Sequence, residues 1–188
     1  MNYPVLITLS GLCLLSMLIE RLGVPTTLEL HFKGDVKRET RWLAQYGQGV
    51  CTLVAALLAW RLDRSPPHKD APWALIIAVL TASLIATLIK RLLGRVRPRR
   101  ENAGQFLGPT WRHANYRESF PSSHSACAVA LSVVLAQLYP PGAEVFWGLG
   151  ITCAILRYIM DAHWPSDVFG GVALGYAVGH LTLPYFLH

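Results

Sequence analysis

Charged residues are scarce in this 188-residue chain: Asp, Glu, Lys and Arg make up only 15% of it, whereas 53% is hydrophobic. A soluble domain of this length would struggle to cover its surface with so few charges. The charges are also bunched, and they leave uncharged runs close to the roughly 20 residues that cross a bilayer. The composition therefore excludes an ordinary soluble protein and indicates a single integral-membrane domain over residues 1–188.

Cysteine is equally sparse. Cys13, Cys51, Cys127 and Cys153 each fall in a different apolar run, and their spacing indicates neither a disulfide framework nor a metal site. They are interpreted as small apolar packing residues.

Six uncharged or weakly charged runs predict six membrane-spanning helices joined by short loops. The first run has no basic start and no small-residue cleavage pattern, so it is interpreted as a retained span and not as a signal peptide. Tryptophans at the predicted span ends are typical of the headgroup level. The predicted fold is all-α, a six-span transmembrane bundle with its active site at the helix ends on one membrane face. The runs are 1–19, 42–60, 71–89, 125–139, 145–160 and 168–188.

The last of these runs carries glycine at every fourth position, at Gly171, Gly175 and Gly179. Residues four apart lie on one face of a helix. This face has no side chains, so it predicts the close approach of a neighbouring helix.

The basic residues lie mostly on one side of the predicted membrane, because all except Arg61, Arg64 and Lys69 flank that side. The net charge of +6 comes from residues at span ends and not from a soluble basic face, so nucleic acid is not expected as a partner. Bilayer lipids and an anionic group held near the membrane surface fit better. The positive-inside rule alone would place this side in the cytoplasm.

Two cations seven residues apart mark the end of the third predicted span. Lys90 and Arg97 would share one face of a helix, and Pro98 disfavours helical backbone at Arg97, so the helix is expected to end there. Most of the other basic residues in this stretch are interpreted as interfacial anchors.

The fourth span opens with Pro121, Ser122, Ser123 and His124. A helix N-terminus presents unpaired N–H groups and the positive end of the helix dipole, so it binds anions readily. Ser122 can cap the helix or donate its hydroxyl to a bound oxyanion. His124 can supply or accept a proton at the same place.

The fifth and sixth spans meet around a second histidine. Arg157 closes the fifth span, and His163 precedes Asp167 by four residues, close enough for the carboxylate to fix the imidazole tautomer. Pro165 is expected to be the first helical residue. The cations Lys90, Arg97 and Arg157 suit a phosphoryl group. We therefore expect His163 to attack the phosphorus of a bound phosphate, while His124 protonates the leaving oxygen and later activates water.

Each motif also has an ordinary interpretation: interfacial anchors, a helix cap, or a metal pair at His163 and Asp167. Three neighbouring cations, Lys90, Arg97 and Arg157, would repel a metal ion, and no third ligand is apparent. No metal and no other cofactor is therefore expected. The order of crossings brings all three motifs to one membrane face, which favours phosphate chemistry over the separate explanations.

These motifs resemble the signature of the type 2 phosphatidic acid phosphatase superfamily, which reads Lys-x6-Arg-Pro, then Pro-Ser-Gly-His, then Ser-Arg-x5-His-x3-Asp. The first motif is complete at Lys90, Arg97 and Pro98. In the second, Ser123 replaces glycine but still offers a backbone N–H. In the third, Leu156 replaces the leading serine.

The resemblance implies a metal-independent lipid phosphatase with a phosphohistidine intermediate on His163, His124 as acid and Asp167 as orienting group. It implies a substrate such as phosphatidylglycerol phosphate, phosphatidic acid, undecaprenyl diphosphate or lipid A, and a site facing the periplasm from a bacterial inner membrane. The phosphate-binding residues that it implies are Lys90, Arg97, Ser122, Ser123 and Arg157.

Two other functions remain open from the sequence. A lipid phosphotransferase would use the same site with a lipid acceptor, and an anion or lipid transporter would use the cations for binding alone. The loop 101–118 is expected to set specificity, with His113 and Arg117 as candidate headgroup contacts, although solvated loop residues are the simpler interpretation of both.

Overall fold

The computed structural model describes residues 1–28, 34–63 and 69–186, and across these ranges the chain is helical and contains no β-strand. The prediction of an all-α fold is confirmed. The described α-helices are α1 (Tyr3–Arg21), α2 (Gly34–Leu43), α3 (Gly49–Leu62), α4 (Ala71–Leu93), α5 (Ser123–Leu138), α6 (Ala143–Ile159) and α7 (Pro165–Thr182).

The centre of the bundle is α5, which packs against α4, α6 and α7. Nearly all of its residues from Ser125 to Leu138 are buried, with Gln137 as the exposed exception. A helix that is apolar on every face belongs in the interior of a protein. The sequence pattern of α5 therefore places it in the core, with its N-terminal residues at one end of that core.

The glycine face of α7 packs directly on α5, as the spacing of those glycines predicts. A Cβ atom added at Gly171 would lie 2.5 Å from the carbonyl oxygen of Ser122, and one at Gly179 would lie 2.7 Å from Cβ of Val133. One at Gly175 would overlap the backbone of Ala126. Only glycine allows the two helix backbones to come this close.

A second row of small residues lines α4. Ala74, Ala78, Ala82 and Ala86 are fully buried at intervals of four residues, and Lys90 is the next position on the same face. Because residues four apart lie above one another on a helix, this row faces the bundle interior along its whole length. Lys90 is therefore carried inward, at the end of an alanine face, and is buried as well.

The end of α4 differs from the sequence prediction. The helix ends at Leu93, and Gly94 adopts a left-handed conformation with φ 62° and donates its N–H to the carbonyl oxygen of Lys90 at 2.9 Å. Gly94 at this cap stops the helix before Pro98 can do so. Arg97 therefore lies in the returning loop and not on the helix face that carries Lys90.

Three helical segments of the described chain are long and apolar enough to cross a membrane, namely Tyr3–Arg21, Ala71–Leu93 and Pro140–Ile159. The apolar helices α3 and α5 are shorter, with 14 and 16 residues. Of the predicted spans and loops, three stretches lie outside the described residues, namely 29–33 of the connection after α1, 64–68 of the loop after α3 and 187–188 of the last span.

The α5–α7 contact predicts a large difference between two glycine-to-alanine variants. Gly175→Ala should destabilise the protein by about 1–3 kcal/mol, because the added methyl group overlaps α5 backbone. Gly148→Ala in α6 is the matched control, since a Cβ there meets nothing within 4 Å and alanine favours the helix. Thermal unfolding in detergent measures both, and an equal melting temperature for the two variants would contradict the prediction.

Candidate active site

The N-termini of α5 and α7 lie side by side. The backbone N–H of Ser122 donates to the carbonyl oxygen of Asp167 at 2.9 Å. As predicted, α7 begins at Pro165, and Ser122 is the N-cap of α5. Two helix N-termini thus bring their positive dipole ends to neighbouring positions, an arrangement that favours a bound anion.

His163 and Asp167 meet at this point, with 3.5 Å between Nδ1 of the imidazole and Oδ2 of the carboxylate. Both side chains are buried. The carboxylate oxygen Oδ2 already accepts hydrogen bonds from the N–H of Trp164 at 2.9 Å and from the hydroxyl of Ser119. Nδ1 of His163 makes no hydrogen bond within the described part of the chain, so the pair is held in electrostatic contact.

His163 lies in the connection between α6 and α7. Burial lowers the pKa of its imidazole to about 3; Asp167 opposes this shift, and Lys90 and Arg97 add to it. Desolvation disfavours the charged form of a base. The imidazole is therefore neutral at physiological pH, the state in which a ring nitrogen can act as a nucleophile.

Two of the predicted phosphate-binding cations point to one backbone oxygen. Nζ of Lys90 donates to the carbonyl oxygen of Glu118 at 3.0 Å, and Nη2 of Arg97 donates to the same oxygen at 3.4 Å. Nη1 of Arg97 also donates to the carbonyl oxygen of Ala162 at 3.1 Å, one residue before His163. Although Arg97 is not on α4, the returning loop brings it beside Lys90.

Arg157 reaches the same space from the end of α6. Its buried Nε has no hydrogen-bond partner among the described residues, so it retains a donor for a ligand. Arg157, His163, Lys90 and Arg97 all act electrostatically on His124. The structure therefore brings together the two histidines and the three cations that the sequence predicted.

The two serines of the second motif differ in their surroundings. Ser122 is fully buried, and its hydroxyl oxygen accepts from the backbone N–H of Ser125 at 3.4 Å and from the hydroxyl of Ser125 at 2.9 Å. Its side chain thus serves the helix cap. Ser123 is only half-buried and lines a cavity beside His124.

This cavity has a volume of about 360 Å³ and is walled mainly by apolar residues of α3, α4 and α5. Leu53, Val79 and Leu80 are among them, and His124 lies in its lining. Gln48, just before α3, contacts Nε2 of His124 through its side-chain amide. Nothing in the local sequence around Gln48 indicates this contact, because it joins residues 76 positions apart.

The candidate headgroup residues of the loop contact the loop itself. Nδ1 of His113 lies 2.9 Å from Oε1 of Glu118, and Nη2 of Arg117 donates to the carbonyl oxygen of Gly108 at 2.9 Å. Both contacts hold the chain near the carbonyl oxygen of Glu118, to which Lys90 and Arg97 donate.

Arg95 departs from the interpretation of the neighbouring cations as interfacial anchors. Its side chain is only 2% exposed and forms an ion pair with Asp167, with 2.6 Å between Nη1 and Oδ1. A second ion pair joins it to Glu20 of α1, again at 2.6 Å. Neither Glu20 nor Ser119 was identified from the sequence, since each contacts the site through the tertiary fold alone.

Residues 71–187 of the chain match the PAP2 superfamily. The chain belongs to this superfamily. The PAP2 match begins at the first residue of α4 and includes both histidines, Asp167 and all of the predicted phosphate-binding residues.

Relatives of the chain are named as phosphatases of lipid substrates. A lipid A 1-phosphatase of Rhizobium johnstonii is 36% identical over 60% of this chain and 46% of its own length. A decaprenylphosphoryl-5-phosphoribose phosphatase of Mycobacterium tuberculosis is 32% identical over 76% of each chain. The chain thus spans less than half the length of the lipid A 1-phosphatases that it matches.

Among solved structures, Aquifex aeolicus LpxE has the same fold. It superposes with a TM-score of 0.65 at 19% identity and covers 81% of this chain and 88% of its own. Together with the three long apolar helices, these relatives fit an integral membrane protein.

The buried His163 predicts a pH dependence of stability. An unfolded imidazole takes up a proton near pH 6.5, whereas the folded one stays neutral, so the unfolded state binds more protons and stability falls below pH 6.5. This one group should cost about 2 kcal/mol at pH 5. We therefore expect His163→Asn to lose less stability than the wild type between pH 7.5 and pH 5, as measured by thermal unfolding.

The control for this measurement is His113→Asn, because the His113 side chain is 71% exposed. This variant keeps the buried His163, so it should retain the loss of stability that His163 causes at pH 5. An equal loss of stability in His163→Asn and in the wild type would show that His163 is not held neutral by the fold.

Proposed function

We propose that this protein is a lipid phosphatase that hydrolyses a terminal phosphate from a lipid phosphate or diphosphate through a phosphohistidine on His163. The observation that carries the proposal is the meeting of a buried, neutral imidazole with three cations and a second histidine at two helix N-termini. Charge neutralisation and positioning are the main requirements of phosphoryl transfer.

In the first step, Nε2 of His163 attacks phosphorus while the bond from phosphorus to the leaving oxygen breaks. His124 donates its proton to that oxygen, so the lipid leaves as a neutral alcohol or a protonated phosphate. In the second step, His124 takes a proton from water, the water oxygen bonds to phosphorus and the N–P bond breaks. Free phosphate leaves and both histidines return to their starting states.

The cations stabilise the charge that develops on the phosphoryl oxygens. The carbonyl oxygen of Glu118 holds Lys90 and Arg97 side by side. A lysine has three N–H donors and an arginine five, so both side chains can also donate to a phosphoryl oxygen. Arg157 adds its unpaired Nε, and Ser123 adds a backbone N–H at the N-terminus of α5. Ser122 contributes by capping the helix that presents this N–H.

The lipid portion of the substrate fits the cavity beside His124. Its walls are mostly apolar, and His124, which would protonate the leaving oxygen, lies in its lining. The leaving group would therefore occupy the cavity while the phosphate faces His163. This arrangement suits phosphate esters of lipids, the class to which the substrates in the relatives' names belong.

For the membrane arrangement we propose that α1, α3, α4, α5, α6 and α7 all cross the bilayer of a bacterial inner membrane. The site then lies at the helix ends on the periplasmic face. The cations clustered on this face, contrary to the positive-inside rule, are accounted for in part by phosphate binding.

The test is phosphate release in detergent from phosphatidic acid, phosphatidylglycerol phosphate, undecaprenyl diphosphate and lipid A, with excess EDTA. Wild-type protein should release phosphate from at least one lipid, and His163→Ala should release none, because the nucleophile is lost. Equal release by both proteins would contradict the mechanism. Release that an added lipid acceptor suppresses would indicate a phosphotransferase, and binding without any release would indicate a transporter.

The role of His124 predicts a dependence on the leaving group. His124→Asn should slow phosphoenzyme formation about 100-fold with a lipid whose leaving group is an alcohol, since the proton donor is gone. The loss should be much smaller with p-nitrophenyl phosphate, whose leaving group needs no protonation. Rapid-quench measurement of the first step separates the two substrates, and an equal loss with both would argue against His124 as the acid.

A further inference from the structure

A buried ionic cluster lies behind Asp167, on the carboxylate oxygen that does not face His163. The Arg95 guanidinium donates from Nη1 to Oδ1 of Asp167 and from Nη2 to Oε2 of Glu20, both at 2.6 Å. The three side chains are 4% exposed or less. One guanidinium thus joins the carboxylate beside the proposed nucleophile to a carboxylate of α1.

Ser166 closes the cluster. Its hydroxyl accepts from Nη1 of Arg95 and donates to Oε2 of Glu20, each at 2.6 Å, and its backbone N–H donates to Oε1 of Glu20 at 3.0 Å. Glu20 therefore satisfies an N–H in the first turn of α7 from a different helix. Every oxygen of the two carboxylates has a defined donor.

Two aromatic rings flank the Arg95 guanidinium. Its Cζ lies 5.3 Å from the ring centroid of Phe106 and 5.5 Å from that of Trp164. Planar guanidinium groups contact aromatic faces favourably and present their donors in a rigid fork. Lysine has one point charge on a flexible stem and cannot reproduce this geometry.

The charge of the cluster is unusual for a structural ion pair. One positive and two negative groups give these three side chains a net charge of −1 beside the neutral imidazole of His163, on which the cations Lys90 and Arg97 also act. If the cluster only held α1 against the bundle, a single carboxylate paired with Arg95 would be enough. The extra charge is useful when His163 becomes cationic, as it does on attack at phosphorus, because fixed charges stabilise the state in which charge develops.

We propose that Arg95 and Glu20 are positioning residues of the reaction. Arg95 orients the Asp167 carboxylate toward His163, and Glu20 keeps the cluster negative so that it stabilises the cationic phosphohistidine. This inference rests on the proposed function, because it requires His163 to carry the phosphoryl group.

The experiment compares Glu20→Gln with Glu144→Gln, a matched change at an exposed position at the start of α6. Single-turnover formation of the phosphoenzyme is followed by alkaline quench, which preserves phosphohistidine, and the Ki of inorganic phosphate reports on binding alone.

Glu20→Gln should form the phosphoenzyme about tenfold more slowly, a change of roughly 1.4 kcal/mol at the transition state. Its phosphate Ki should stay within about twofold of wild type, because Glu20 makes no contact with Lys90, Arg97 or Arg157 in the described structure. Arg95→Lys should show the same separation of rate from binding.

Two results would overturn the inference. Phosphoenzyme formation in Glu20→Gln at the rate of Glu144→Gln would show that the charge of Glu20 does not act on the reaction. A parallel loss of rate and phosphate binding would show a structural role alone. Failure of the proposed function is distinguishable from both, since wild-type protein would then form no phosphoenzyme or His163→Ala would still release phosphate.

Arg95→Lys replaces Glu20→Gln if the latter does not fold, because it keeps the charge of the cluster but removes the guanidinium fork that orients Asp167. Slower phosphoenzyme formation with unchanged phosphate Ki in this variant would support the inference. Formation at the wild-type rate would overturn it.

Discussion

The close approach of α7 to α5 determines where the proposed phosphate site can form. Glycines on α7 let the two backbones touch, and the Ser122 N–H can then donate to the carbonyl oxygen of Asp167. This contact sets both helix N-termini at one level. The positive dipole ends, the His163–Asp167 pair and the backbone N–H groups thereby face a common volume before any cation is added.

The cations enter this volume by three different routes, which explains why their chain positions are so far apart. Lys90 lies on the alanine face of α4, Arg97 lies in the loop that follows Gly94, and Arg157 lies in the last turn of α6. Each cation is positioned by its own helix or loop, and none depends on another cation for its position. Lys90 and Arg97 donate to the 115–118 backbone, and Arg97 also donates to Ala162, so these contacts hold the two cations side by side despite their mutual repulsion.

The sequence predicted those features that local patterns encode. Helix type, the glycine face, the Ser122 cap and the start of α7 at Pro165 all follow from periodicity or from capping chemistry. The sequence did not predict features that depend on residues far apart in the chain. Arg95 looks like its neighbours in a basic stretch, yet Glu20, 75 positions earlier, and Asp167, 72 positions later, bury it between them. The end of α4 was predicted too late in the chain for a different reason. Gly94 and Pro98 can both end the helix, and Gly94 comes first along the chain.

The unequal burial of α5 and α3 has a consequence for how a substrate gains access. His124 begins a helix that is enclosed on all sides, whereas α3, which walls the cavity beside it, buries only Thr52, Ala56 and Ala59. Amide protons of enclosed helices exchange with solvent last, and weakly packed helices open at much lower free energy. The helices that line the cavity therefore differ in how tightly they are packed. Movement of α3 can therefore widen the cavity while His124, on the enclosed helix α5, keeps its position.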